Sequence, residues 1–75
     1  MVEAYILINV EIGKVEEAKE KLSKIKGVKK VDMVAGPIDI IAYVEAATLR
    51  ELRNFILWEI HRTPGITKTQ TALVL

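Results

Sequence analysis

Asp39 is the one acid in this chain of 75 residues without an evident structural task; it follows Gly36, Pro37 and Ile38 at the mouth of an otherwise apolar run. Glycine permits a positive φ, and proline fixes its own φ and donates no hydrogen bond, so a Gly36-Pro37 turn leaves nearby backbone carbonyls and amides angled outward. A carboxylate placed there can act as an Asx-type turn acceptor, or it can accept charge-assisted bonds from a cationic ligand. A second set of polar atoms lies near the carboxyl end, where strand alternation points Thr67, Thr69 and Thr71 to one face, continued by Leu73 and Leu75. Threonine suits strands on its own account, and three hydroxyls in a row also suit a polar small molecule. His61 stands alone beside Arg62 at the end of a helical pattern, where a cation complements the helix dipole. No second histidine is present to complete a metal site.

Chemistry beyond binding lacks its ingredients. Asp39 has no acidic neighbour in sequence to form a carboxylate pair, and no nucleophile stands with a base. Gly36-Pro37 leads into a strand and not a helix, so it is not a phosphate loop. We therefore expect no enzyme activity, no metal and no cofactor. Eleven Lys and Arg against ten Asp and Glu give a net charge of +1, with the signs interspersed, so no basic field is present to follow a nucleic acid backbone. Direct nucleic-acid binding is not expected. The apolar runs are too short to span a bilayer, and Met1-Val2-Glu3 opens without a secretory pattern. With no cysteine there can be no disulfide, and the expectation is a soluble cytoplasmic protein that finds extra burial by oligomerising.

The elements that must position these residues are legible in order. Glu3 to Val10 is apolar on both alternating faces, as in a central strand. Val15, Ala18, Leu22 and Ile25 fall at helical spacing, with Glu17–Lys21 and Glu20–Lys24 pairs on a solvated face and Gly27 as the stop. Val28 to Ala35 reads as a lysine-bearing edge strand, and Gly36-Pro37 as the hairpin turn into Ile38 to Val44. Thr48 and Glu51 offer a capping box for a second helix with Leu49, Leu52, Ile56 and Ile60 on its stripe. Phe55, Leu57 and Trp58 widen the apolar surface of that helix, and we expect Phe55 and Trp58 at a contact between subunits. Pro64-Gly65 ends it, and Ile66 to Leu75 is the last strand.

Residues 25–31 resemble residues 63–69, with Gly27 and Gly65 lying 38 positions apart, which implies a strand-helix-strand repeat. The order βαββαβ with right-handed crossovers predicts an α+β, ferredoxin-like domain spanning the whole chain. Its four-stranded antiparallel sheet would carry two helices on one face, with the first and third strands central. Its other face would be bare and apolar, and a face-to-face homodimer is the simplest cover.

The Gly36-x-x-Asp39 hairpin, the Pro64-Gly65-Ile66 step and the Thr69-x-Thr71 pair, in this order and spacing, resemble the effector-binding RAM domain of the Lrp/AsnC family of regulators. The resemblance covers nearly the whole chain. It implies a ferredoxin-like domain that dimerises through its sheets, assembles into octamers or decamers, and binds an amino acid between dimers near the hairpin. Carried onto this sequence, the ligand-binding residues are Gly36, Pro37, Ile38, Asp39, Thr69 and Thr71. Ile38 stands where the family often has an aromatic residue, and Pro37 stiffens the turn. The chain starts at the first RAM strand and so resembles stand-alone versions without the helix-turn-helix, for which a full-length Lrp/AsnC regulator is a further expected partner. A purely structural oligomerisation module is the alternative. A small enzyme of the dimeric monooxygenase kind would need a polar catalytic set that the sequence does not supply.

Overall fold

A computed structural model describes all residues, 1–75. The strands are β1 (Val2–Val10), β2 (Val28–Met33), β3 (Ile40–Ala46) and β4 (Ile66–Leu73). Helix α1 is Val15–Leu22, and a second helix, α2, runs over residues 49–61. The sheet order is β2-β3-β1-β4 and all its pairings are antiparallel, so β1 and β3 are central as their two-sided apolar pattern requires. Both helices lie on one face. The core between them and the sheet takes Ile6 and Ile8 from β1, Ile40 and Val44 from β3, Leu22 from α1, and Leu52, Ile56 and Ile60 from α2, all essentially inaccessible. Each such side chain contributes about 1.5–3 kcal/mol of transfer free energy.

Helix α2 is not uniform. It is α-helical over Leu49–Glu51, π-helical over Leu52–Ile56 and α-helical again over Leu57–His61. Leu52, Ile56 and Ile60 recur every fourth residue, a row that drifts about 40° per step around a helix of 3.6 residues per turn. The wider π turn absorbs the drift and keeps the row on the sheet. The start is capped as the Thr48–Glu51 spacing predicts, with the Glu51 amide donating to Thr48 Oγ1 at 3.1 Å. The Glu51 carboxylate, however, accepts from the Ala47 amide, one residue before the cap.

Some boundaries differ from the sequence pattern. Helix α1 ends at Leu22, where Ser23 donates its hydroxyl to Lys19 O at 2.7 Å; Ile25 lies beyond the helix and still packs on the core. Gly27, at φ +97°, is therefore not the helix stop. There the turn into β2 passes tightly against α2: an added Cβ would stand 2.5 Å from Ile56 Cδ1. The repeat survives in the backbone bonds, since Gly27 O accepts from Glu45 N at 2.9 Å and Gly65 O accepts from Glu11 N at 2.8 Å, each at the carboxyl end of a central strand. Strands β2 and β3 also stop short of the expected two-residue turn. Met33 pairs with Ile40, leaving residues 34–39 as the connection.

Candidate functional site

The connection between β2 and β3 is tied to the end of β1 by side chains. Val34 N donates to Asp39 O at 2.9 Å and closes the loop, while Asp39 N donates to Ile8 O at 3.0 Å and fixes its base. Beyond that point the ladder would need another carbonyl on β3, and the Asp39 carboxylate replaces it: Val10 N donates to Asp39 Oδ2 at 2.8 Å. Asn9 Nδ2 donates to Pro37 O at 2.8 Å on the same side. Asp39 thus has the structural task that its sequence context did not reveal. Its second oxygen makes no hydrogen bond within the chain, and the residue is half-buried, as is Ile38. Gly36 sits at φ +144° with nothing within 4 Å of an added Cβ, so the loop tip projects into solvent together with Pro37.

The threonines lie elsewhere. Thr69 is opposite Ile8 and Thr71 opposite Ile6, so both emerge on the helix side of the sheet. The register then jumps: Lys68 pairs with Asn9, but Ile66 pairs with Val10. Thr67 is the extra residue of that bulge: it has no partner on β1, and it lies on the same side as Thr69. Thr69 Oγ1 lies 2.7 Å from His61 Nε2 at the end of α2. Sequence reasoning gave His61 only a dipole role and missed this contact. The cue was the short Pro64-Gly65 connection, which brings the last turn of α2 back over β4.

A shallow hollow of about 250 Å³ is lined by His61, Ile66, Thr67, Lys68 and Thr69. No residue of the 34–39 loop reaches it, because β1 lies between β3 and β4. Within one chain the six expected ligand residues therefore form two separate groups: Gly36, Pro37, Ile38 and Asp39 at the hairpin, and, on β4, Thr69 beside His61 with Thr71 two residues further along the strand.

The face of the sheet away from the helices carries a third polar group. Glu3 and Glu45 are cross-strand partners, and the Tyr43 hydroxyl lies 2.7 Å from Glu3 Oε1 and 3.0 Å from Glu45 Oε2. The bond to Glu3, followed by desolvation and the bond to Glu45, holds the Tyr43 phenol well above the usual tyrosine range. Tyr5 packs on Tyr43 with ring centroids 5.3 Å apart. The face expected to be apolar is thus mixed, with an aromatic and aliphatic centre and charged ends. No group of three or more metal-ligating side chains is assembled anywhere, and no helix is long and apolar enough to cross a membrane.

Residues 3–75 match the family model described as the Lrp/AsnC ligand binding domain. An uncharacterized HTH-type transcriptional regulator of Pyrococcus furiosus is 35% identical over 71 residues, which is 95% of this chain and 48% of that protein. The chain spans about half the length of the curated regulators it matches. The crystal structure of FFRP-DM1 superposes with a TM-score of 0.94 at 39% identity, covering 100% of both chains. At 23% identity and a TM-score of 0.82, the same fold forms 50% of the feast or famine regulatory protein of M. tuberculosis, solved as a complex with L-methionine.

Proposed function

We propose, from the premise that this chain belongs to the Lrp/AsnC family as its ligand-binding domain, that it is a regulatory module taking an amino acid at the hairpin end of its sheet. The observation that carries this reading is Asp39, held rigidly by Val10 with one carboxylate oxygen left over. That oxygen can accept from an α-ammonium group, and outward amides near Gly36 can donate to an α-carboxylate. Thr69 and Thr71 complete the site from a second chain, since one chain keeps them apart from the hairpin. The L-methionine complex of the M. tuberculosis protein supports an amino acid as the class of ligand. The module then acts on transcription or amino-acid metabolism through a partner, for which a full-length regulator of the same family is the natural candidate. A second copy covers the open sheet face, and dimers assemble further into octamers or decamers.

A second reading, an oligomerisation module without a ligand, is favoured by the absence of a shared pocket for the two residue groups within one chain. Calorimetric titration of the assembled protein with each of the twenty amino acids separates the two. Saturable heat with at least one amino acid supports the effector module; none with any leaves the oligomerisation module.

A further inference from the structure

The two halves of the chain turn from helix into edge strand with the same backbone. Ile25 N donates to Leu22 O and Val28 N to Ile25 O; 38 residues on, Thr63 N donates to Ile60 O and Ile66 N to Thr63 O. The bulges coincide as well, Lys29 in β2 standing where Thr67 stands in β4. Ser23 is thus the counterpart of His61, and Val31 the counterpart of Thr69. In the first half no hydrogen bond joins the two positions: Ser23 Oγ turns back to Lys19 O, and Val31 packs on the core. In the second half they hold an imidazole and a hydroxyl 2.7 Å apart. The corner therefore closes without a polar link, and the bond between His61 and Thr69 is an addition that the architecture does not require.

A threonine hydroxyl has one proton to give and two lone pairs, and an imidazole nitrogen donates or accepts according to whether it carries hydrogen. With Nε2 bare, the ring takes the Thr69 proton, and Oγ1 can only accept from anything else. With hydrogen on Nε2, the ring donates to Oγ1, and the Thr69 proton is free for another acceptor. A neutral ring can adopt either form, whereas a protonated ring has only the second. Thr69 is half-buried, and both residues border the hollow at the end of α2. The charged groups about this corner are Glu59 and Arg62 on α2, Lys68 on β4, and Glu11 and Lys14 in the turn that packs on Gly65. Lys68 shares a row with Asn9 on the other side of the sheet, and Arg62 lies 5.8 Å from the Trp58 ring centroid. The ion pairs of the chain, Lys21–Glu17, Lys24–Glu20 and Lys30–Asp32, leave His61 without a carboxylate.

We propose that His61 is a positioning residue of the amino-acid site: protonation of its ring makes the Thr69 hydroxyl an obligatory donor, aimed at the ligand's α-carboxylate, and the site tightens as pH falls. This rests on the reading in which Thr69 completes the site of a second chain, and adds a regulation to it. The ring does not touch the ligand; it sets what Thr69 offers. Histidine changes charge between about pH 5 and pH 8, where an α-carboxylate stays ionised, so the proton taken up belongs to the protein.

Calorimetric titration of the full chain with L-methionine, or where that is silent with each of the other amino acids, at about pH 7.5 and about pH 5.5 reads the effect. Affinity should rise about tenfold toward the lower pH, the worth of one hydrogen bond to a charged group. His61→Gln, whose amide does not titrate, should bind with an affinity independent of pH. Thr69→Val, which sets the residue of the first half in place, should bind more weakly and be equally flat. Both variants should keep the urea midpoint of the parent, because Ser23 and Val31 close the same corner without the bond; a midpoint lowered in both would make the bond structural and overturn its positioning role. A parent whose affinity is the same at both pH values, or a pH dependence that survives in His61→Gln, would overturn the inference and leave the amino-acid site standing. Saturable heat from none of the amino acids would overturn that site, and this inference with it.

Discussion

Asp39 and Val10 are joined across 29 residues of sequence: the carboxylate of the first accepts the backbone amide of the second at 2.8 Å, in the place where a further strand carbonyl would otherwise be needed. The same side chain is thus both a structural acceptor and the proposed ligand anchor, and substitutions must separate the two tasks.

Asp39→Ala leaves the Val10 amide without its partner, and a loss of about 1–3 kcal/mol in folding stability is expected, together with loss of amino-acid binding. Asp39→Asn keeps an oxygen for Val10 and gives up the charge. Its stability should stay within about 1 kcal/mol of the parent while affinity falls about tenfold or more. Urea unfolding and calorimetry on both variants check this; an Asn variant with unchanged affinity would move the ligand away from Asp39.

Two glycines of similar backbone geometry should respond very differently to alanine. Gly13, at φ +83°, has nothing within 4 Å of an added Cβ, so Gly13→Ala should cost only the left-handed backbone penalty of about 1–2 kcal/mol. Gly27→Ala adds a collision with Ile56 and a tight approach of 3.1 Å to Glu45 O, and should cost about 1–3 kcal/mol more. Equal urea midpoints for the two variants would show that the turn before β2 yields freely from α2.

Tyr43 should confer an alkaline limit on stability. Its pKa is raised in the folded chain, so the stability linked to it is present in full below the ordinary tyrosine value of about 10 and is lost as pH rises from there toward the folded value. Lysines titrate in the same range, so the quantity to follow is the difference between the parent and Tyr43→Phe in urea unfolding from about pH 9 to about pH 11, which brackets the ordinary tyrosine value where the loss begins. That difference should shrink with rising pH; a constant difference would mean that Glu3 and Glu45 do not act on the phenol in solution.

Trp58, the single tryptophan, is 58% exposed in the isolated chain and has Arg62 5.8 Å from its ring centroid; Phe55 is 55% exposed. If α2 joins an assembly, Trp58 emission should shift to shorter wavelength as protein concentration rises, and Phe55→Ala should weaken that assembly while changing folding stability by less than about 1 kcal/mol. Ile56→Ala, one residue further into the core, should instead cost about 2–5 kcal/mol. Trp58 emission that is independent of concentration would place α2 outside every interface.

The sequence by itself determined the order of elements and the place of the central strands. Two-sided apolar runs can be buried only in the middle of a sheet, and helical spacing with glycine and proline punctuation marks what joins them. It also located the capped second helix and the family, whose motifs are local, and it marked the tip of the hairpin at Gly36-Pro37 but not the length of its connection. Helix ends were less legible: α1 closes after Leu22, where both the amide and the hydroxyl of Ser23 donate to Lys19 O, while Ile25 carries the apolar spacing past that end. The π segment of α2 is visible only when Leu52, Ile56 and Ile60 must all meet one sheet.

Tertiary structure alone decided which polar groups meet. Val10 and Asp39, Asn9 and Pro37, His61 and Thr69, and Glu3 with Tyr43 and Glu45 are all joined through strand register or helix return. Register is a collective property of the folded sheet, and the bulge leaves Thr67 without a β1 partner while the alternating pattern in the sequence runs on unbroken. The separation of Asp39 from Thr69 and Thr71 has the same origin: β1, first in the chain, is laid between β3 and β4, and no local motif records that insertion.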